Sequence, residues 1–145
     1  MVVVIYNCYC IIECGIERGE ALSYERREKD KKIYESYKYL EYKPKKSDYC
    51  IVVPEDCDDV IEEGNKLSHC VGGYVSRISD EETFIIFMRR QKMEDIPFIT
   101  VEVRNGRLCT ALGQFNRRLE PKEKKFLQKF ANKKGLEYTA YPVIE

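Results

Sequence analysis

The chain carries a single histidine, and it stands beside a cysteine in the stretch Leu67-Ser68-His69-Cys70-Val71-Gly72-Gly73-Tyr74. A neutral imidazole takes up a proton near pH 7, and a thiol becomes a strong nucleophile once ionised. The paired glycines let the backbone turn sharply or approach another group closely, because no Cβ intervenes. His69 and Cys70 are therefore the candidate catalytic residues. Their spacing limits what they can do together. Neighbours on a helix point about 100° apart, so His69 is badly placed to activate Cys70, and there is no second histidine to replace it. An enzyme built here would use His69 with arginine and amide groups, as in phosphodiester or nucleotide chemistry. Tyr74, Arg89, Arg90, Gln114, Asn116 and Arg117 are the candidate binding groups. Arginine offers a planar fork that suits phosphate or carboxylate. The plainer reading is structural, with His69 and Cys70 completing a packed helix junction.

The elements that must hold these groups are read from periodicity. Val60, Gly64, Leu67, Val71, Tyr74 and Ile78 recur at helical spacing and form one face. Gly64, Gly72 and Gly73 argue against an unbroken helix. The pattern predicts a helix to about Leu67, a break at His69–Gly73 and a short second helix to about Ile78. If Cys70 opened that second helix, the helix dipole would lower its thiol pKa. Thr83–Arg90 is apolar at successive positions, as in a strand covered on both faces. Pro97–Val103 and Arg107–Gly113 form a hairpin about Asn105-Gly106, the preferred type I′ pair. A two-residue loop places Ile99, Val101, Val103, Leu108 and Leu112 on one face with Thr110. Gln114 and Asn116 would continue that parity towards the edge of the core face.

Glu120-Pro121 opens a last helix with Phe126, Leu127, Phe130 and Ala131 as its buried stripe and Gly135 as its left-handed cap. Before these elements come an expected strand at Val2–Tyr6, a surface helix over 23–42 with one apolar stripe, and a short strand at Tyr49–Val53. Tyr138–Ile144 reads as a final edge strand. Together they predict an α+β fold, an antiparallel sheet with a central hairpin packed against two or three helices. Residues 1–48 supply an N-terminal strand and a charged, Tyr-rich helix, and 49–145 the α+β domain, as one compact unit.

The chain has 145 residues, and its 43% hydrophobic content is that of an ordinary globular protein with a real core. The 25 basic and 25 acidic residues cancel, so no global field draws it to nucleic acid or membrane. The distribution is uneven. Glu55, Asp56, Asp58, Asp59, Glu62 and Glu63 stand together without a base, whereas 117–134 holds eight Lys/Arg against Glu120 and Glu123. Such polarity can orient a partner, although two solvated helix faces would read the same. Seven cysteines is an odd number without paired knuckles, and no secretory signal is evident. The thiols read as reduced and the compartment as cytoplasmic. Cys8, Cys10 and Cys14 have an atypical spacing for zinc and suit buried structural thiols better. No cofactor or membrane partner is expected; Val2–Ile12 is too short and too interrupted to span a bilayer.

Glu63-Gly64-x-x-Leu67-x-His69-Cys70-Val71-Gly72-Gly73-Tyr74 resembles the signature of PcfJ-like proteins. So do the Phe84–Arg90 strand, the Pro97 to Asn105-Gly106 hairpin, and Gly113-Gln114-x-Asn116-Arg117. The resemblance covers roughly Tyr49 to Leu136. Ser68 departs from the histidine often found at its position, which leaves one histidine for metal or acid–base work. The resemblance implies a genomic setting, the conjugative plasmids, integrative elements and phages of bacteria, and no reaction. The expected function is a binding module for nucleic acid or for a nucleic-acid-handling complex of host or element. One form of this is inhibition of a bacterial defence system by an acidic helix that mimics nucleic acid. The alternative is an enzyme using His69, with or without Cys70.

Overall fold

The computed structural model describes residues 24–68 and 73–139, with side chains from position 28 onward. The expected Val2–Tyr6 strand, Cys8, Cys10, Cys14, His69, Cys70 and the end of the last strand lie outside the described residues. The rest is the expected α+β architecture. Five strands follow one another in sheet order: β1 (Tyr49–Val52), β2 (Phe84–Arg90), β3 (Ile99–Arg104), β4 (Arg107–Leu112) and β5 (Glu137–Tyr138). The first four are antiparallel, and the short β5 runs parallel to β4. Four helices pack around them: α1 (Tyr24–Ser36), α2 (Cys57–Leu67), α3 (Val75–Ser79) and α4 (Pro121–Lys134).

Local chemistry sets the element ends. Asp56 caps α2 by accepting from the Asp59 amide at 3.1 Å, and Ser68 ends that helix in the left-handed region at φ 53°. Glu120 and Glu123 form a capping box at the start of α4, beside Pro121. Gly135 ends α4 at φ 70°, and the Leu136 amide closes back on the Ala131 carbonyl at 2.8 Å. The hairpin turns through Asn105 at φ 53° and Gly106 at φ 73°, both left-handed as a type I′ turn requires.

The facing of β4 corrects one expectation. Val103 opposes Leu108 as the turn dictates, but Glu102 then opposes Thr110, and Cys109 is bulged out. One extra residue flips every later side chain to the other face. Thr110 and Leu112 therefore share a face with Thr100 and Glu102, while Ala111 joins Val101. The flip brings the Thr110 hydroxyl to the buried Glu102 carboxylate at 3.3 Å, beside the 2.7 Å bond from Thr83.

The sheet is covered on both faces, which is why β2 is buried from Phe84 to Arg89. One face presents Phe84, Ile86, Met88, Val101, Val103, Leu108 and Ala111, all buried. On this side α4 lies against β1, with the Phe126 ring meeting Tyr49 and Tyr42 at centroid distances of 5.6 and 5.9 Å. Full burial of Leu127 or Phe130 is worth about 1.5–3 kcal/mol each. The opposite face presents Cys50, Ile85, Phe87, Arg89, Thr100 and Glu102, and α2 reaches it through Glu63. The α1 helix adds Tyr34, edge-on to Phe84 at 5.4 Å, and Tyr37 just beyond the helix stacks on the same ring. Among the described residues, no helix is long and apolar enough to cross a membrane.

Candidate functional site

Two buried carboxylates organise the regions that carry the sequence motifs. The first is Glu63. It stands in the inward stripe of α2 with Val60, Gly64 and Leu67, where a charge needs a partner. Arg89 supplies one from β2. Its Nη1 and Nη2 donate to the two Glu63 oxygens at 2.8 and 2.6 Å, and Thr100 Oγ1 donates to the same carboxylate at 3.3 Å. The Arg89 Nε donates to the Glu94 carbonyl at 3.1 Å, and the guanidinium lies 4.6 Å from the Phe87 ring centre. Burial pushes the Glu63 carboxyl above its ordinary pKa, and the Arg89 bonds offset only part of that. The pair lines a cavity of about 370 Å³ that also carries Glu55, Asp59, Glu62, Glu94 and Asp95 against Lys38 and Lys66.

Beside this cavity, Lys43 pairs with Glu94, and the Cys50 thiol donates to the same carboxylate at 3.6 Å. Burial and the Glu94 charge push Cys50 up to about 11. It is a thiol, not a thiolate, at neutral pH, and therefore no nucleophile.

The second carboxylate is Glu123, on the inner side of α4. Arg117 grips it with two bonds of 2.9 and 3.1 Å, and Nη1 also donates to the Arg118 carbonyl at 2.9 Å. This closes the chain after β4 into a tight turn. The Gly113 amide donates to the Arg117 carbonyl at 2.8 Å, around a single 3₁₀ turn of Gln114, Phe115 and Asn116. Arg117 crosses Gly113 so closely that a Cβ there would lie 3.0 Å from Nε. Phe115 and Asn116 are both left-handed, at φ 53° and 59°. The turn lies against α2 and is fastened by Arg117 to the start of α4.

The residues singled out from the sequence separate into two groups. Arg90 and Arg117 converge on the Phe98 ring, at 4.7 and 5.5 Å. Gln114 and Asn116 are exposed on the same turn as Arg117. Arg89 points to the other side of the sheet, into its pair with Glu63. Tyr74 precedes α3, half-buried, with the Arg77 guanidinium 4.8 Å from its ring centre. His69 and Cys70 lie outside the described residues; they follow Ser68, the residue that ends the helix of Glu63.

The outward side of α4 carries lysines, with the neutral Gln128 and Asn132 beside them and no acid. Lys122, Lys125, Lys129 and Lys133 are all exposed, at spacings of three, four and four, and so form one stripe about 16 Å long. The one acid of the helix, Glu123, is turned inward to Arg117. Among the described residues, no carboxylate pairs with any of these four lysines. Across the sheet, Glu55, Asp56, Asp58 and Glu62 are exposed at and beside α2. Among the described residues, the exposed acids of α2 and the lysine stripe of α4 thus lie on different sides of the sheet.

A family model described as PcfJ-like protein matches residues 17–127, most of the chain. The chain belongs to the PcfJ-like family. The match takes in α1 to the first half of α4, and with them Glu63, Arg89, the Gly113–Arg117 turn and Glu123. The chain is also 36% identical over 70 residues to "Uncharacterized protein Lin1253/Lin1744" of Listeria innocua serovar 6a. That stretch is 47% of this chain and 16% of the Listeria protein. No solved structure matches.

Sequence reasoning placed Glu63 only in an acidic cluster and in the family signature of this PcfJ-like chain, without its buried partner, and gave no site role to Glu123 or Phe115. Glu63 had a signal, because it breaks an apolar stripe at i, i+3, i+4 and i+7 without leaving it. Glu123 reads as an ordinary first-turn acid, and the left-handed state of Phe115 has no sequence signature at all.

Proposed function

We propose that this domain is a nucleic-acid-binding module whose phosphate-contacting surface is the lysine stripe of α4. The observation that carries the reading is the segregation of charge on that helix: four exposed lysines on one face, and the helix's only acid withdrawn into the fold. A fixed row of unpaired cations binds a polyanion by releasing its counterions, whatever the total charge of the protein. The exposed acids of α2 lie on the opposite side of the sheet and leave the local field of the stripe unopposed. Arg90 and Arg117, held over Phe98, add guanidinium groups beside the start of the stripe. As part of the same reading, the module works in the bacterial cytoplasm, in the mobile-element setting that the family resemblance implies.

The test is a salt titration of oligonucleotide binding. Four phosphate contacts give a slope of about −2.8 in log K against log salt for a single strand, so affinity falls roughly 50-fold between 50 and 200 mM salt. Lys125→Ala and Lys129→Ala should each weaken binding and flatten the slope by about 0.7. Glu55→Gln and Asp58→Asn, on the opposite face, should leave the slope unchanged. Slopes unaffected by the lysine variants would remove α4 as the contact surface. A second reading, docking of a basic nucleic-acid-handling protein on the exposed acids of α2, is favoured by that face's own charge. It would show the reverse pattern, sensitive to the acidic variants alone.

A further inference from the structure

We infer that the ligand of this surface is single-stranded nucleic acid and that Phe115 is the platform on which a base stacks. The inference rests on the phosphate-binding reading of α4 and adds the chemical class of the ligand. Phe115 is 72% exposed, the most exposed large hydrophobic residue described. It also holds φ 53° and ψ 36°, a conformation that bulky L residues avoid. Nothing in folding favours this combination. An exposed ring contributes little to the core, and glycine or asparagine would take the same backbone conformation with less strain. Strain that brings no stability points to function when the surroundings enforce it.

Here they do. The Gly113–Arg117 hydrogen bonds close the turn, and Arg117 clamps it to Glu123 in the first turn of α4. The ring is therefore presented to solvent on a braced support, with α2 on one side and, through Arg117, the first turn of α4 and its lysine stripe on the other. Gln114 and Asn116 flank it with exposed amides that can bond to base edges. A basic track with an aromatic face beside it is how unpaired strands are held, because every base has a π-face and the backbone supplies the charge. A duplex keeps its bases stacked on one another and offers Phe115 nothing.

The chain has no tryptophan, so Phe115→Trp creates a single indole reporter. With a fluorescent oligothymidine and a duplex of equal length, the wild-type protein is expected to prefer the single strand. Phe115→Ala should weaken single-strand binding roughly 5- to 150-fold, leave duplex binding unchanged and keep the wild-type salt slope. Oligothymidine should quench the indole of Phe115→Trp. Phe115→Gly should raise the melting temperature while losing the single-strand preference, which separates stacking from folding damage. Wild-type affinity of Phe115→Ala for oligothymidine, with slopes that still respond to Lys125→Ala, would overturn the stacking platform and leave the α4 reading standing. Loss of affinity in Phe115→Ala with slopes indifferent to the lysine variants would overturn α4 and keep the platform. No binding of either oligonucleotide would overturn both.

Discussion

Replacing Arg89 by methionine isolates the buried charge of Glu63. Methionine keeps an unbranched apolar stem and removes only the guanidinium that lies over Phe87 and pairs with Glu63, so the change is mainly electrostatic. It leaves the Glu63 side chain, 1% exposed, with only the 3.3 Å bond from Thr100. Removing one partner of a buried pair costs about 3–5 kcal/mol, because the other charge stays buried and uncompensated. For a chain of this size that lowers the melting temperature by roughly 10–15 °C.

The pH dependence has a definite sign. Burial already raises the Glu63 carboxyl above its unfolded value, and the Arg89 bonds oppose that rise. Without Arg89 the folded value climbs further. A raised carboxyl binds more protons in the native state than in the unfolded state. Its effect is therefore most favourable below the unfolded value, and stability is lost as pH rises through the folded one. Arg89→Met should be markedly less stable at pH 7 than near pH 5, relative to the double variant Glu63→Leu/Arg89→Met at the same pH. That double variant, with both charges replaced by apolar groups, should be within about 1 kcal/mol of wild type or more stable. Urea unfolding followed by far-UV circular dichroism measures all three. A loss below about 1 kcal/mol in Arg89→Met at pH 7, or a stability that grows with pH relative to the double variant, would refute the reasoning.

Two further outcomes follow from neighbouring groups. Gly113→Ala should cost about 1–3 kcal/mol, read as a shift in the urea midpoint, because its Cβ meets Arg117 Nε at 3.0 Å and pushes the guanidinium off the buried Glu123 carboxylate. Cys50, with its thiol pushed up to about 11, has about one thiolate in a thousand at pH 8; iodoacetamide with mass-spectrometric mapping should label it only after unfolding.

Much of the fold was legible because it is written in periodicity and turn chemistry. Asn105-Gly106 fixed the hairpin turn, Pro121 and Gly135 bounded the last helix, and the glycines after Leu67 marked the end of α2. The bulge at Cys109 was not legible. It reverses the facing of Thr110 and Leu112 to serve Glu102, a partner supplied by another strand, and no local pattern encodes that. The candidate site was legible in part. Gln114, Asn116 and Arg117 share one turn at the exit of β4, because the hairpin and the start of α4 are close in sequence, and Arg90 of β2 meets Arg117 there over the Phe98 ring. Arg89, one residue from Arg90, faces the other side of the sheet, as strand alternation demands. Its partner Glu63 is 26 residues away, and a pairing at that distance becomes visible only when the helix is laid on the sheet.

The two ion pairs built on buried helix acids share a logic that links stability to surface charge. Each takes an acid from a helix, Glu63 from α2 or Glu123 from α4, and closes it with an arginine fork from the sheet or its exit. On α4 this leaves no acid on the outer side to oppose the lysines. Glu123 therefore has two effects: it clears the stripe of negative charge, and it anchors the turn that presents Phe115. Glu123→Gln separates them. Glutamine is neutral and offers one acceptor oxygen, so the stripe stays free of acid while the fork on Arg117 is broken. The four lysines keep their share of the salt slope, and the Arg117 released from Glu123 steepens it by no more than about 0.7, the value of one phosphate contact. Stability should fall by about 1–3 kcal/mol from the lost bonds at the helix start. The preference for single strand over duplex should shrink, because the ring is no longer held in its strained presentation. An unchanged preference would mean that the turn keeps Phe115 in place through its backbone bonds, Gly113 to Arg117 and Arg117 to Gln114, and that the fork on Glu123 serves the helix alone.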